Sequence, residues 1–108
     1  MASSQQTVDH IVDLLAGAGE MRALPMFGEY GLYCDTKLVA LICDDILFVK
    51  ITKANADIGL EQAAPYPGAK PSHLVPPEML EAPDALTDLV RITAGSLPKP
   101  RNVPKRLL

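Results

Sequence analysis

The stretch YGLYCDTKLVALICDDILFVKI, residues 30–51, decides the fold. Three apolar runs, 30–34, 38–43 and 46–51, are parted by Asp35-Thr36-Lys37 and by Asp44-Asp45. Short apolar runs bounded by turn residues read as strands, and linkers this short join only antiparallel neighbours. The spacing therefore predicts a three-stranded meander. A three-residue loop at 35–37 opposes Cys34 to Leu38, Leu32 to Ala40 and Tyr30 to Ile42. A two-residue loop at 44–45 opposes Cys43 to Ile46, Leu41 to Phe48 and Val39 to Lys50.

Side chains alternate across a strand, so these registers sort the residues into two faces. One face gathers Tyr30, Leu32, Cys34, Leu38, Ala40, Ile42, Leu47, Val49 and Ile51, with no charge, and is expected to be the core face under the helices. The other gathers Gly31, Tyr33, Val39, Leu41, Cys43, Ile46, Phe48 and Lys50. It is mostly apolar, where a solvated face would be polar. Tyr33, Val39, Leu41, Ile46 and Phe48 are therefore a candidate partner surface, as large as the largest apolar patch usual on a monomer. The same register puts Cys34 and Cys43 on opposite faces and at opposite ends. At ~3.3 Å per residue they lie more than ~10 Å apart, beyond disulfide reach.

Working outward, Ser3-x-x-Gln6 has capping-box spacing. Val8, Ile11, Val12 and Leu15 follow at i, i+3, i+4 and i+7, and Gly17 and Gly19 are stop signals, which predicts a first helix. Residues 21–27 read as a fourth strand that Pro25 confines to an edge or a bulge. Residues 53–60 read as a short helix anchored by Ile58 and Leu60. The segment 63–77 carries five prolines and predicts extended connections with short edge strands near Tyr66 and 73–75, His73 being a sheet-edge or core histidine. A last helix starts at Pro83-Asp84, with Asp84 as N-cap, a Leu86, Leu89, Val90 stripe, and Gly95 as its end. The expected fold class is α+β: a two-layer α/β sandwich whose antiparallel sheet has a β-meander core and carries helices mainly on one face. Residues 1–97 form the expected domain and 98–108 a basic, disordered tail.

With 108 residues, 48% apolar and 21% charged, the chain fits one ordinary globular domain. No apolar run approaches the ~20 residues of a membrane-spanning helix. The start Met-Ala-Ser-Ser has no basic or apolar leader segment, so the expected location is cytoplasmic. The net charge of −3 is unevenly placed: 98–108 carries Lys99, Arg101, Lys105 and Arg106 and no acid, so the body is strongly acidic. An acidic body repels a phosphate backbone, which disfavours direct nucleic-acid binding.

Chemistry-bearing patterns are sparse. Cys34, Cys43, His10 and His73 are too few and too separated for a metal site. There is no Gly-rich phosphate loop and no recognisable nucleophile setting. The Asp44-Asp45 pair reads as a turn, not as a pair of convergent acids. The sequence thus predicts no catalytic residue, no metal and no cofactor.

The run Met26-Phe27-Gly28-Glu29-Tyr30-Gly31-Leu32-Tyr33 resembles the Met-Phe-Gly-x-Tyr-Gly signature of the TfoX N-terminal domain family. The Asp35 turn, the Asp-Asp turn, the strand ending at Lys50 and Val75-Pro76-Pro77-Glu78 follow in the order of that family, so the resemblance spans residues 5–97. Position 29, often Gly in relatives, is Glu here. The resemblance implies a two-layer α/β domain and a link to transcriptional regulation of natural competence. Met26, Phe27, Gly28, Tyr30 and Gly31 are read as structural, the glycines allowing a tight bend or close backbone approach. The functional expectation is a non-enzymatic protein-interaction module that engages a protein partner or a second copy of itself, with no membrane role and no cofactor. A regulatory role rests on the resemblance alone. The competing reading is a small enzyme or small-ligand-binding domain, which requires a cavity with convergent polar groups.

Overall fold

The computed structural model describes residues 3–98; all but the first residue of the tail 98–108 lies outside them. Helix α1 (Gln5–Leu14) leads through a 3-10 turn (Ala16–Ala18) into a meander of β1 (Met21–Met26), β2 (Glu29–Cys34), β3 (Lys37–Cys43) and β4 (Ile46–Val49). A loop region carrying β5 (Gln62–Ala63) and β6 (Ser72–Leu74) follows, then α2 (Pro77–Glu81) and α3 (Pro83–Ser96). All strand pairs are antiparallel, in the order β1-β2-β3-β4-β6-β5. The fold is α+β, with the predicted meander at its centre.

Three two-residue turns set the registers. Phe27-Gly28 (φ 51 and 79), Asp35-Thr36 (50 and 71) and Asp44-Asp45 (54 and 61) each place two successive residues in the left-handed region. That is type I′ geometry, whose twist matches the twist of the flanking strands. The predicted pairs Tyr30 with Ile42, Leu32 with Ala40, Leu41 with Phe48 and Cys43 with Ile46 are all present. The three-residue loop at 35–37 is not. Cys34 pairs with Lys37 across a two-residue turn, and the register shifts at Leu32/Tyr33, so that Leu38 pairs with Tyr33. The inserted residue of this bulge is Val39.

The bulge changes which face two residues occupy. Val39 is fully buried within the core cluster, not on the outer face where alternation places it. Leu38, expected in the core, takes the outer-face position opposite Tyr33. The core face is then closed by α1 and α3, through Val8, Ile11, Leu15, Leu86, Leu89 and Val90 against Leu32, Ile42, Leu47 and Val49. Lys37 also points to this side, and its Nζ donates to the Ala94 carbonyl near the end of α3 (2.8 Å). That cation caps a helix C-terminus, where the dipole favours positive charge.

Strand β1 is an edge, as Pro25 requires. The Asp35 N–H donates to the Glu20 carbonyl (2.9 Å), which fixes the alternation of the ladder. Arg22, Leu24 and Met26 then turn their backbone groups to β2, and Met21, Ala23 and Pro25 turn theirs to the open side. Pro25 sits where its missing N–H breaks no ladder bond.

Other expectations shift. The α1 cap is Ser4, whose Oγ accepts from the Thr7 N–H (3.2 Å), one residue later than the spacing of Ser3 and Gln6 proposes. Residues 53–57 form consecutive turns, Ile58 follows in a bend, and no helix forms over 53–60. Tyr66 lies in a bend, and the short edge strand is β5 at Gln62–Ala63. Helix α2 has no counterpart among the elements that the sequence predicts. Helix α3 starts at Pro83 with Ala82 as its cap residue, and Asp84 lies in its first turn.

Candidate functional site

The outer face of the sheet is not bare. Residues 65–72, which run from the β5–β6 connection into the first residue of β6, lie opposite the β1–β2 hairpin and leave a trough between the two. Phe48 on its floor is therefore only 6% exposed, and Cys43 is buried too. Of the candidate partner residues, Leu41 and Phe48 line the trough. Tyr33 is half-buried and away from the cavities of the trough, and Ile46 is 40% exposed beside the Asp44-Asp45 turn. Val39 belongs to the core.

The trough holds two adjoining cavities. One, about 330 Å³, lies at the hairpin end between Glu29, Cys43 and Asp44. The other, about 480 Å³, lies over Leu38, Leu41 and Phe48 with Lys50 and Lys70 at its border. Met26, Phe27, Leu41, Pro65 and Tyr66 line both. Gly31 keeps the floor low: a Cβ there would stand 2.9 Å from Met26 Cε and 3.1 Å from Leu38 Cδ1.

The signature residues divide by role. Gly28 supplies the second left-handed residue of the turn. Tyr30 turns to the helix side, its hydroxyl donating to Gln5 Oε1 (3.3 Å). Phe27 differs from the rest. It is 90% exposed and holds a left-handed backbone, which is an outlier for a bulky side chain.

Glu29 clasps the hairpin end. Its Oε1 accepts from the Ser3 N–H (2.8 Å) and its Oε2 from the Asp44 N–H (2.9 Å). Ser4 N–H donates to Asp45 Oδ1 (2.8 Å), and Asp45 N–H to Ser3 Oγ (2.9 Å). Desolvation raises the Glu29 pKa, but the backbone N–H groups of Asp44 and Ser3 outweigh it and hold the carboxyl below its ordinary value. Asp45 is lowered chiefly by the Ser4 N–H. These carboxylates anchor the N-terminal segment and are already satisfied.

On the core side, Asn55, His73 and Thr93 are fully buried. Thr93 Oγ1 donates to the Leu89 carbonyl (2.7 Å) and accepts from Asn55 Nδ2, which also donates to the Lys50 carbonyl (both 2.8 Å). Asn55 Oδ1 is thereby the acceptor, and takes the Thr52 N–H (2.7 Å) and His73 Nε2 (2.9 Å). Histidine Nε2 must then carry the proton, and the bare Nδ1 has no partner among the described residues. Burial lowers the His73 pKa. His73 is thus a neutral structural group that ties β6 to the 52–55 turn, as the core reading of the sequence expects.

Nucleophilic chemistry finds no support here. Burial, followed by the charge of Asp35 for Cys34 and of Glu29 for Cys43, pushes both thiols up. Protonated thiols are poor nucleophiles. Both cysteines are free. Among the described residues no group of three His, Cys, Asp or Glu is placed to hold a metal ion. No helix among them is long and apolar enough to cross a membrane. The sequence held one legible signal for the trough, the mostly apolar second face; its aperiodic, Pro-rich wall gave none.

A Spirochaeta aurantia protein described as an uncharacterized 12.7 kDa protein in the trpE 5′ region is 36% identical over 103 residues, covering 94% of this chain and 89% of the relative. The model of the TfoX N-terminal domain matches residues 13–96, from the end of α1 to the end of α3. The chain belongs to the TfoX N-terminal domain family.

Proposed function

We propose that this domain is a non-enzymatic protein-interaction module that engages its partner through the trough on the outer sheet face. The observation that carries this reading is Phe27. An exposed aromatic ring at a hairpin tip gains nothing from the core, and its left-handed backbone costs about 1–2 kcal/mol. Strain of this kind concentrates where a site needs it, and aromatic residues are favoured anchors of interfaces. Tyr66, 46% exposed on the opposite wall, offers a second ring. A regulatory role in the cytoplasm, linked to transcription or competence, is what the family relation adds.

The test is capture from a lysate of the source cells on immobilised protein, with wild type and Phe27→Asn side by side. Asparagine suits the left-handed turn, so the variant stays folded. Proteins held by the wild type and lost by the variant support the reading. Identical capture by both, together with a wild type that stays monomeric at high concentration, refutes it.

A second reading, a small-ligand site, has its own support in the 480 Å³ cavity. That volume lies within the range of small-molecule sites.

A further inference from the structure

The charges around the trough are sorted. All thirteen Asp and Glu residues lie within the described part of the chain, yet none lines the cavity over Leu38, Leu41 and Phe48. That cavity carries Lys50 and Lys70 instead, two of only six Lys/Arg among the described residues. Neither ammonium has a hydrogen-bond or ion-pair partner among the described residues. The adjoining cavity has the opposite arrangement, Glu29 and Asp44 and no base. There the Glu29 carboxylate is fully occupied by the N–H groups of Ser3 and Asp44. The two ends therefore differ in more than sign. The acidic end is internally satisfied, and the basic end has no counter-charge among the described residues.

Lys50 is the more telling of the two. The bond from its N–H to the Val39 carbonyl (2.9 Å) continues β4 by one residue. Alternation then puts Val49 in the core and the Lys50 side chain on the outer face, half-buried beside Phe48 and Ile51. Burial pulls its pKa down, with no acid offsetting it. A cation held partly out of water with no anion beside it is unfavourable by itself. An entering anion would remove that penalty. The rest of the lining is mostly apolar, with Leu38, Leu41 and Phe48 on the floor, and the hydroxyls of Tyr66 and Ser72 are its other polar side-chain groups. Mostly apolar walls with a few placed polar groups are the usual build of a small-ligand site.

We infer that this cavity binds an amphipathic carboxylate, its apolar body over Leu41 and Phe48 and its charged end between Lys50 and Lys70. A straight-chain fatty acid is the simplest molecule with that chemistry. The inference stands apart from the protein-partner reading: the cavity can bind a carboxylate whether or not a protein docks on Phe27, and capture can fail while carboxylate binding holds.

The experiment is a titration of the isotope-labelled full chain with decanoate at neutral pH, followed through backbone amide NMR signals. Saturable shifts are expected at Leu41, Phe48, Tyr66 and Lys50. Octanoate should bind roughly fifteenfold more weakly than decanoate, since each of the two methylenes is worth about fourfold. Decylamine, with the same tail and the opposite charge, should not bind there. The double variant Lys50→Gln, Lys70→Gln should weaken decanoate binding at least tenfold, its dispersed spectrum showing that it remains folded. If that variant unfolds, the comparison of decanoate with decylamine on wild type decides alone. Equal binding of the two, shifts scattered over the surface, or no saturable shift overturns the inference. So does a shift of the same amides on raising the protein concentration alone, which would assign the cavity to a second copy of the chain.

Discussion

The two faces of the sheet treat polar groups in opposite ways. On the core face a single amide, Asn55, makes four hydrogen bonds and leaves its own capacity filled. Lys37 on that face reaches a carbonyl at the end of α3. On the outer face Lys50 is half-buried with no side-chain partner among the described residues, and Phe27 stands in solvent on a strained turn. Satisfaction on one side and its absence on the other separate the part of the molecule that holds the fold from the part available to something else. Variants on the core face should therefore cost stability, and those at the trough rim should alter binding.

Phe48 sits where this division is sharpest, on the outer face but under the 65–72 segment. Phe48→Glu places an unpaired carboxylate beneath Pro71 and Ser72, at a cost of several kcal/mol, enough to unfold a domain of ordinary stability. Ile46→Glu, on the same face but 40% exposed, should cost less than about 0.5 kcal/mol. Urea unfolding of both variants measures the contrast. Equal tolerance would mean that the segment does not cover the floor.

Asn55→Ala comes next. It leaves the Thr52 N–H, the Lys50 carbonyl and the His73 Nε2–H without their partner, all at buried or half-buried positions. At about 1–3 kcal/mol for a buried group left unpaired, and with partial relaxation, a loss of about 3 kcal/mol is expected. Thr93→Val removes one hydroxyl, which accepts from Asn55 and donates to the Leu89 carbonyl, and should cost less than Asn55→Ala. If the two variants melt alike, Asn55 is not the hub.

Why the hub escaped the sequence is physical. Asn55 lies in a run of turns with no apolar period, and nothing local marks a polar side chain that will be fully buried by α3 and β6. The meander was legible because its alternation and turn residues agree. The bulge was not, since a three-residue loop and a two-residue turn plus one inserted residue consume the same length of chain. Both put Leu32 opposite Ala40, and they differ only between Lys37 and Val39. Thr36 with φ 71 is also a β-branched residue where a type I′ turn would favour Asn or Gly. The trough shared this fate: its floor shows in the pattern, but its wall is a proline-rich segment whose path depends on tertiary contact.

The same core network makes stability depend on pH. The folded-state pKa of His73 is depressed by burial. Above about 6.5, the unfolded value, both states are neutral and its contribution is complete. As pH falls below that value the unfolded chain takes up a proton that folded His73 resists, so stability declines toward the folded pKa. Protonation would also make Nδ1–H a buried donor without a partner. Glu29 and Asp45, with lowered pKa values, should add a second loss once pH falls through the carboxylate range. Melting temperatures at a series of pH values should show both declines, and His73→Gln should remove the upper one alone. An unchanged upper decline in that variant would assign it elsewhere.

The smallest effect tests the rim, and its sign matters more than its size. Phe27 occupies the first central position of a type I′ turn with φ 51, where a bulky side chain is disfavoured and Asn is tolerated. Its ring is 90% exposed, so removing it forfeits almost no burial. Phe27→Asn should therefore stabilise the domain, by about 1 kcal/mol, which corresponds to about 4–8 °C in melting temperature for a chain of this size. Most substitutions of a large apolar residue destabilise, so a gain here would show that Phe27 is kept against the interest of the fold. Phe27→Ala separates the two contributions: it removes the ring without relieving the turn, and should leave stability nearly unchanged while losing the same partner. A loss of stability in Phe27→Asn comparable to that of a core residue would mean that the ring packs on the trough in solution. Phe27 would then serve the fold and not a partner.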